Sequence, residues 1–165
     1  MLKYIVLNPG IRTSANKLAK QLGISINTVK SYLSLAEEVY LIFEVPFFSH
    51  SAKTKFIGSR VSKYYIIDNG LFQLFSTRLE KSKLYENAVA LHFFEKRDKL
   101  YYWQGKNEVD FVIEDIAINV VTSKTIPDRE FKGLEEIKAK NRMIIAPFSD
   151  KSKSILSFEE LLGKS

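Results

Sequence analysis

The stretch from Tyr102 to Lys124 sets the tightest limit on how this chain can fold. Leu100 to Gln104 is one strand, which Tyr102-Trp103-Gln104 closes, and Gly105-Lys106-Asn107 reads as a turn. Glu108-Val109-Asp110-Phe111-Val112-Ile113-Glu114 is a second strand. Asp115-Ile116 is a link, and Ala117-Ile118-Asn119-Val120-Val121-Thr122 is a third strand. Asp110 stands among Val, Phe and Ile. A carboxylate inside such a run is costly unless it is paired, hydrogen-bonded or bound to a metal. Two neighbouring strands that bring polar groups to one face can hold a divalent cation.

The flanking segments extend this core. From Leu84 to Arg97 the pattern is helical, with Leu84, Ala88 and Leu91 on one stripe and Glu86 at its edge. Pro127-Asp128 opens a helix to about Lys140, with Phe131, Leu134 and Ile137 inward. Met143 to Ala146 is a buried strand, and Ser157 to Leu162 is a short helix capped by Ser157. The expected order is α, β, β, β, α, β.

Ahead of this core the pattern changes. Asn8-Pro9-Gly10 is a turn after the apolar run Tyr4 to Leu7. Thr13 or Ser14 can cap a helix with Leu18, Ala19 and Leu22 inward and Lys17, Lys20 and Gln21 outward. Gly23 breaks that helix, and Ile24 is expected to plug the turn. Ser25 can cap a second helix, from about Ile26 to Glu38. There Val29, Tyr32, Leu33 and Ala36 are expected inward, and Asn27, Thr28, Lys30, Ser31 and Ser34 outward. Helix, glycine turn, capped helix is the helix-turn-helix signature, whose second helix enters the major groove of DNA. Runs from Leu41 to Phe48 and from Tyr64 to Asp68 enclose a polar segment with His50, Lys53, Lys55 and Arg60. That segment reads as a wing whose basic loop meets phosphate. Asp68 is expected to cap the short helix begun by Asn69-Gly70. Thr77 to Lys83 is polar and reads as a linker, giving a winged helix over 1–76 and a second domain over 77–165.

Charge placement supports a polyanionic partner. The net charge of the 165 residues is +6, and residues 1–36 hold Lys3, Arg12, Lys17, Lys20 and Lys30 with no acid. A local basic field of this kind suits double-stranded DNA. With no cysteine and only His50 and His92, thiolate and histidine-rich metal sites are excluded. No signal peptide and no membrane-length apolar run are present, so a cytoplasmic setting is expected.

Together Lys63-Tyr64-Tyr65-Ile66-Ile67-Asp68-Asn69-Gly70-Leu71, Leu84-Tyr85-Glu86-Asn87, and Tyr101-Tyr102-Trp103 with Glu108-Val109-Asp110-Phe111 resemble the C-terminal region of archaeal and bacterial AAA-type ATPases. That resemblance implies an α+β chain. It would be an N-terminal winged helix-turn-helix followed by a restriction-endonuclease-like αβββαβ core of the PD-(D/E)XK type. In that core a helix glutamate, a strand aspartate and a Glu-x-Lys meet around Mg2+. Glu86 and Asp110 match the first two. Relatives read Ile-Glu-Val-Lys on the third strand where this chain has Ile118-Asn119-Val120-Val121, so a metal ligand and a cation are missing. Lys124 points to the other face of a regular strand, and only a bulge would bring it to the site. No phosphate-cradling Gly-x-x-x-x-Gly-Lys-Ser/Thr occurs. The expected function is a DNA-binding accessory module with a degenerate nuclease fold. The DNA contacts would come from Lys17, Lys20, Asn27, Thr28, Lys30, Ser31, Lys53, Lys55 and Arg60. The alternatives are an active Mg2+-dependent nuclease using Glu86, Asp110 and Lys124, and a protein-interaction domain that docks on an ATPase module or self-associates.

Overall fold

The computed structural model describes residues 1–49, 61–78 and 80–163. These fall into two compact units, Met1–Asn87 and Ala88–Ser165. Both mix helices with a sheet, so the chain is α+β.

The first unit opens with helix α1 (Leu2–Val6) and strand β1 (Ile11–Thr13), followed by helices α2 (Ala15–Leu22) and α3 (Ile26–Glu38). Strands β2 (Ile42–Pro46) and β3 (Ser62–Ile66) then pair, and helix α4 (Asn69–Phe75) follows. The sheet is antiparallel in the order β1-β3-β2, with Thr13 opposite Ser62 and Glu44 opposite Tyr64. Local chemistry sets the helix ends. The Ser14 side chain accepts from the Lys17 amide, and that of Ser25 from the Thr28 amide at 3.0 Å. Gly23 ends α2 in the left-handed region at φ 66°, where a side chain would be strained. Asp68 accepts from the Gly70 amide at 2.7 Å, capping α4 as expected. Leu18, Val29, Leu33, Ile42, Ile66 and Phe72 form the centre of one apolar cluster. Residues 50–60, which hold His50, Lys53, Lys55 and Arg60, lie outside the described residues.

Helix α5 (Lys81–Glu95) carries the division between the units. The second unit has strands β4 (Leu100–Gln104), β5 (Glu108–Ile113) and β6 (Ile116–Val120), then helix α6 (Asp128–Glu136) and strand β7 (Asn141–Ala146). A short strand β8 (Ile155–Ser157) and helix α7 (Phe158–Leu162) complete it. The sheet order is β4-β5-β6-β7-β8, antiparallel across β4, β5 and β6 and parallel from β6 onward. Helix α6 stops at Glu136, short of the expected Lys140. The Arg142 guanidinium donates to the carbonyls of Leu134 and Ile137, satisfying groups that a further turn would have used. Among the described residues no helix is long and apolar enough to cross a membrane.

Candidate functional site

Helix α3 presents three kinds of surface. Val29, Leu33 and Ala36 are buried, while Asn27, Thr28, Lys30, Ser31 and Ser34 are exposed, as the periodicity predicts. Tyr32, expected inward, is instead 50% exposed, and with Leu35 and Val39 it forms an uncovered apolar flank. The buried arc takes only the 29-33-36 stripe, and Tyr32 lies just beyond it. Leu22 and Ile24 are also exposed, so Ile24 is not the expected plug. The αL turn at Gly23 closes by backbone geometry alone. The Thr28 hydroxyl lies 2.8 Å from that of Ser25, within the cap. Lys17 and Lys20 stand exposed on α2.

Glu86 is held inside the first unit. Its Oε1 accepts from Lys63 Nζ at 3.0 Å and from the Tyr65 hydroxyl at 2.7 Å. Lys63 is 1% exposed, so a buried ammonium lies against this carboxylate. Gly10, at φ 78°, passes so close that a Cβ there would meet Glu86 Oε1 at 2.7 Å. The next residue, Asn87, is fully buried. Its Nδ2 donates to the Ile66 carbonyl and Asn69 Oδ1, and its Oδ1 accepts from the Ile66 amide. Asn87 thus pairs with β3 as a strand residue would. The sequence assigns Asn87 no structural role, and it marks Glu86 as a metal-ligand candidate or as half of a structural polar pair with Asp110. The only signal was a polar pair on the face of an otherwise apolar helix.

Asp110, Asn119 and a residue the sequence reading missed, Glu130, form a polar network in the second unit. Asp110 Oδ2 accepts from the Val120 amide at 2.9 Å. Asn119 is fully buried. Its Oδ1 accepts from the Asp110 amide, and its Nδ2 donates to the Glu130 carbonyl and to Glu130 Oε2, each at 3.0 Å. The amide orientation is fixed, because an N–H can only donate and a carbonyl can only accept. The one neutral oxygen of Asn119 is therefore committed to backbone, and its NH2 group faces the neighbouring carboxylate. Val121 is buried, and Lys124 is exposed in the bend beyond β6. These donors do not fit the magnesium set of a nuclease. The Asn119 oxygen is taken by the Asp110 amide, and Val121, where the resemblance would place a lysine, is apolar. Among the described residues no group of three or more His, Cys, Asp or Glu is arranged to hold a metal.

Burial pushes the Glu130 carboxyl above its ordinary range, and Asp110 and Glu108 add to this while Arg129 opposes it. A carboxyl raised by folding binds more protons in the folded state, so its stabilising contribution is full below the ordinary value of 4.5 and is lost as pH rises through the raised value. Glu130→Gln keeps an acceptor for Asn119 Nδ2. It should therefore remove this loss, and the urea midpoint of the variant should fall less than that of wild type between acidic and neutral pH.

Two families match the chain. Residues 1–82 match a domain of unknown function (DUF8612), and residues 81–158 match a second domain of unknown function (DUF4143). Beyond these, the chain is similar to Uncharacterized protein MJ1544 of Methanocaldococcus jannaschii, 32% identical over 123 residues. That match covers 68% of this chain and 27% of the relative, so the chain spans about a quarter of that protein's length. No solved structure matches the chain.

Proposed function

We propose that this chain is a double-stranded DNA-binding accessory module: a winged helix followed by a restriction-endonuclease-like core that does not cut. The observation that carries the reading is the exposed face of α3, where Asn27, Thr28, Lys30, Ser31 and Ser34 stand clear of the core behind a Ser25 cap. Short polar groups with one lysine can bond phosphates and base edges. The element order α, β, α, α, β, β in the first unit and α, β, β, β, α, β in the second supports the two folds, and the acid-free basic stretch 1–36 supports the partner. Few of these side chains suit two-point reading of a base, so binding should be weak and tolerant of sequence.

The test is anisotropy on duplexes of unrelated sequence across a salt series. Lys17, Lys20 and Lys30 should each contribute about one unit to the log–log salt slope. Changing all three to Glu should weaken binding to every duplex alike. Equal binding by wild type and the triple variant at low salt would sink the reading. An apolar flank of Tyr32, Leu35 and Val39 favours a second reading, docking on a protein such as an ATPase module. On that reading the triple variant binds its partner normally, whereas Leu35→Glu does not.

A further inference from the structure

The first unit contains a cleft of about 450 Å³ between α3, the start of α2 and the sheet. Glu37 of α3, Glu44 of β2 and Tyr64 of β3 line it, with Ser34 and Ser62 between them and Lys30 at one side. Cross-strand partners share a face. Thr13 opposite Ser62 and Glu44 opposite Tyr64 therefore turn their side chains to the side of the sheet that floors this cleft.

The polar groups on this face are poorly served by the protein itself. The Thr13 hydroxyl, on a residue 2% exposed, has no hydrogen-bond partner among the described residues. The Glu37 carboxylate likewise makes no hydrogen bond or ion pair with any described residue. Burial first, and then the Glu44 charge, raises the Glu37 carboxyl. Burial and the same two carboxylates raise the Tyr64 phenol, which stays protonated. Among the described residues the Glu44 carboxylate accepts only from the Ser62 hydroxyl. A half-buried carboxylate with no partner among the described residues, beside a second carboxylate, is costly unless a cation joins it.

We propose that this cleft binds a small organic cation, an alkylammonium or guanidinium compound of polyamine or amino-acid size. Its charged N–H groups would donate to Glu37 and Glu44, and the hydroxyls of Tyr64 and Ser34 would take its remaining polar atoms. The chain carries net charge +6, so its overall field repels such a ligand and any saturable binding must be local. The cleft shares Lys30 and Ser34 with the face that carries the DNA reading, but Glu37, Glu44 and Tyr64 belong to the cleft alone, so substitutions at the two glutamates test this inference separately.

Calorimetry on the full chain with spermidine, putrescine and arginine amide tests it. At least one probe should bind saturably and raise the unfolding temperature. Glu37→Gln and Glu44→Gln should each weaken that binding about tenfold or more, the loss expected for one charged hydrogen bond. Glu38→Gln, on the exposed face of the same helix, should leave it unchanged. Glu37→Gln removes a half-buried charge that makes no bond with any described residue, so it should fold at least as well as wild type. Spermidine blocked at its amines by acetylation should bind more weakly. No binding by any of the three probes would overturn the proposal, and so would equal binding by wild type and both glutamine variants.

Discussion

Replacing Glu86 by alanine should destabilise the first unit by about 3–5 kcal/mol, the range for a buried ion pair that loses one member. The carboxylate accepts from both Lys63 and Tyr65, and the Lys63 side chain has almost no exposure with which to recover its hydration. Loss of the acceptor takes from a buried ammonium and a buried hydroxyl the carboxylate to which both donate. Converting the pair together, Lys63→Met with Glu86→Leu, should recover most of the loss, since buried pairs are often no better than packed apolar residues. Hydrogen exchange at the Tyr65 and Ile66 amides follows the unit directly. The result also separates two roles for Glu86. A metal ligand would leave stability near wild type on substitution and lose only cation binding, whereas an anchor of β3 would give the reverse. A stability change under about 1 kcal/mol, the level of an exposed pair, would remove the anchoring role.

Much of the architecture was legible because short-range chemistry decides it. Ser14, Gly23, Ser25, Asp68 and Ser157 each mark a helix end through a cap or a left-handed residue, and all five do so in the structure. Strand β4 matches its predicted bounds because apolar and aromatic residues fill it between a polar turn and a glycine. Strands β1 and β8 were missed for a physical reason. Each has three residues, too few to show alternation, and each exists by pairing with a longer neighbour. The candidate site was legible only as residue types. Asp110 and Asn119 stood out as polar groups in apolar runs. Glu130 did not, since Asp128-Arg129-Glu130 reads as the ordinary acidic first turn of a helix. Its burial against Asn119 comes from packing of α6 on the sheet, with Gly133 allowing the close approach to the Glu108 carbonyl. Tyr32 failed for the converse reason: periodicity gives the direction of a face but not its width.

Asn119 is where a single substitution should separate scaffold from catalyst. Asn119→Ala leaves the Asp110 amide and the Glu130 carbonyl without their side-chain partners. Two part-buried groups losing partners in this way should cost about 3 kcal/mol. Asn119→Asp should cost more at neutral pH. It keeps an acceptor for the Asp110 amide but turns a second oxygen toward the Glu130 carbonyl and carboxylate, with the Asp110 carboxylate also near Glu130. The penalty of the aspartate variant should shrink as pH falls and these carboxyls take up protons, while that of the alanine variant should not. Manganese or magnesium should stabilise the aspartate variant saturably, because three carboxylates then face one another, and leave wild type unmoved in thermal denaturation. Neither protein should nick DNA, since the apolar Val121 leaves no cation to stabilise charge on the phosphate. Metal-dependent nicking by wild type that disappears in both Asp110→Ala and Lys124→Ala would reverse this conclusion and assign the missing cation to Lys124. Stabilisation of wild type by the metal without cleavage would instead show that Asp110 and Glu130 hold a cation across the Asn119 amide.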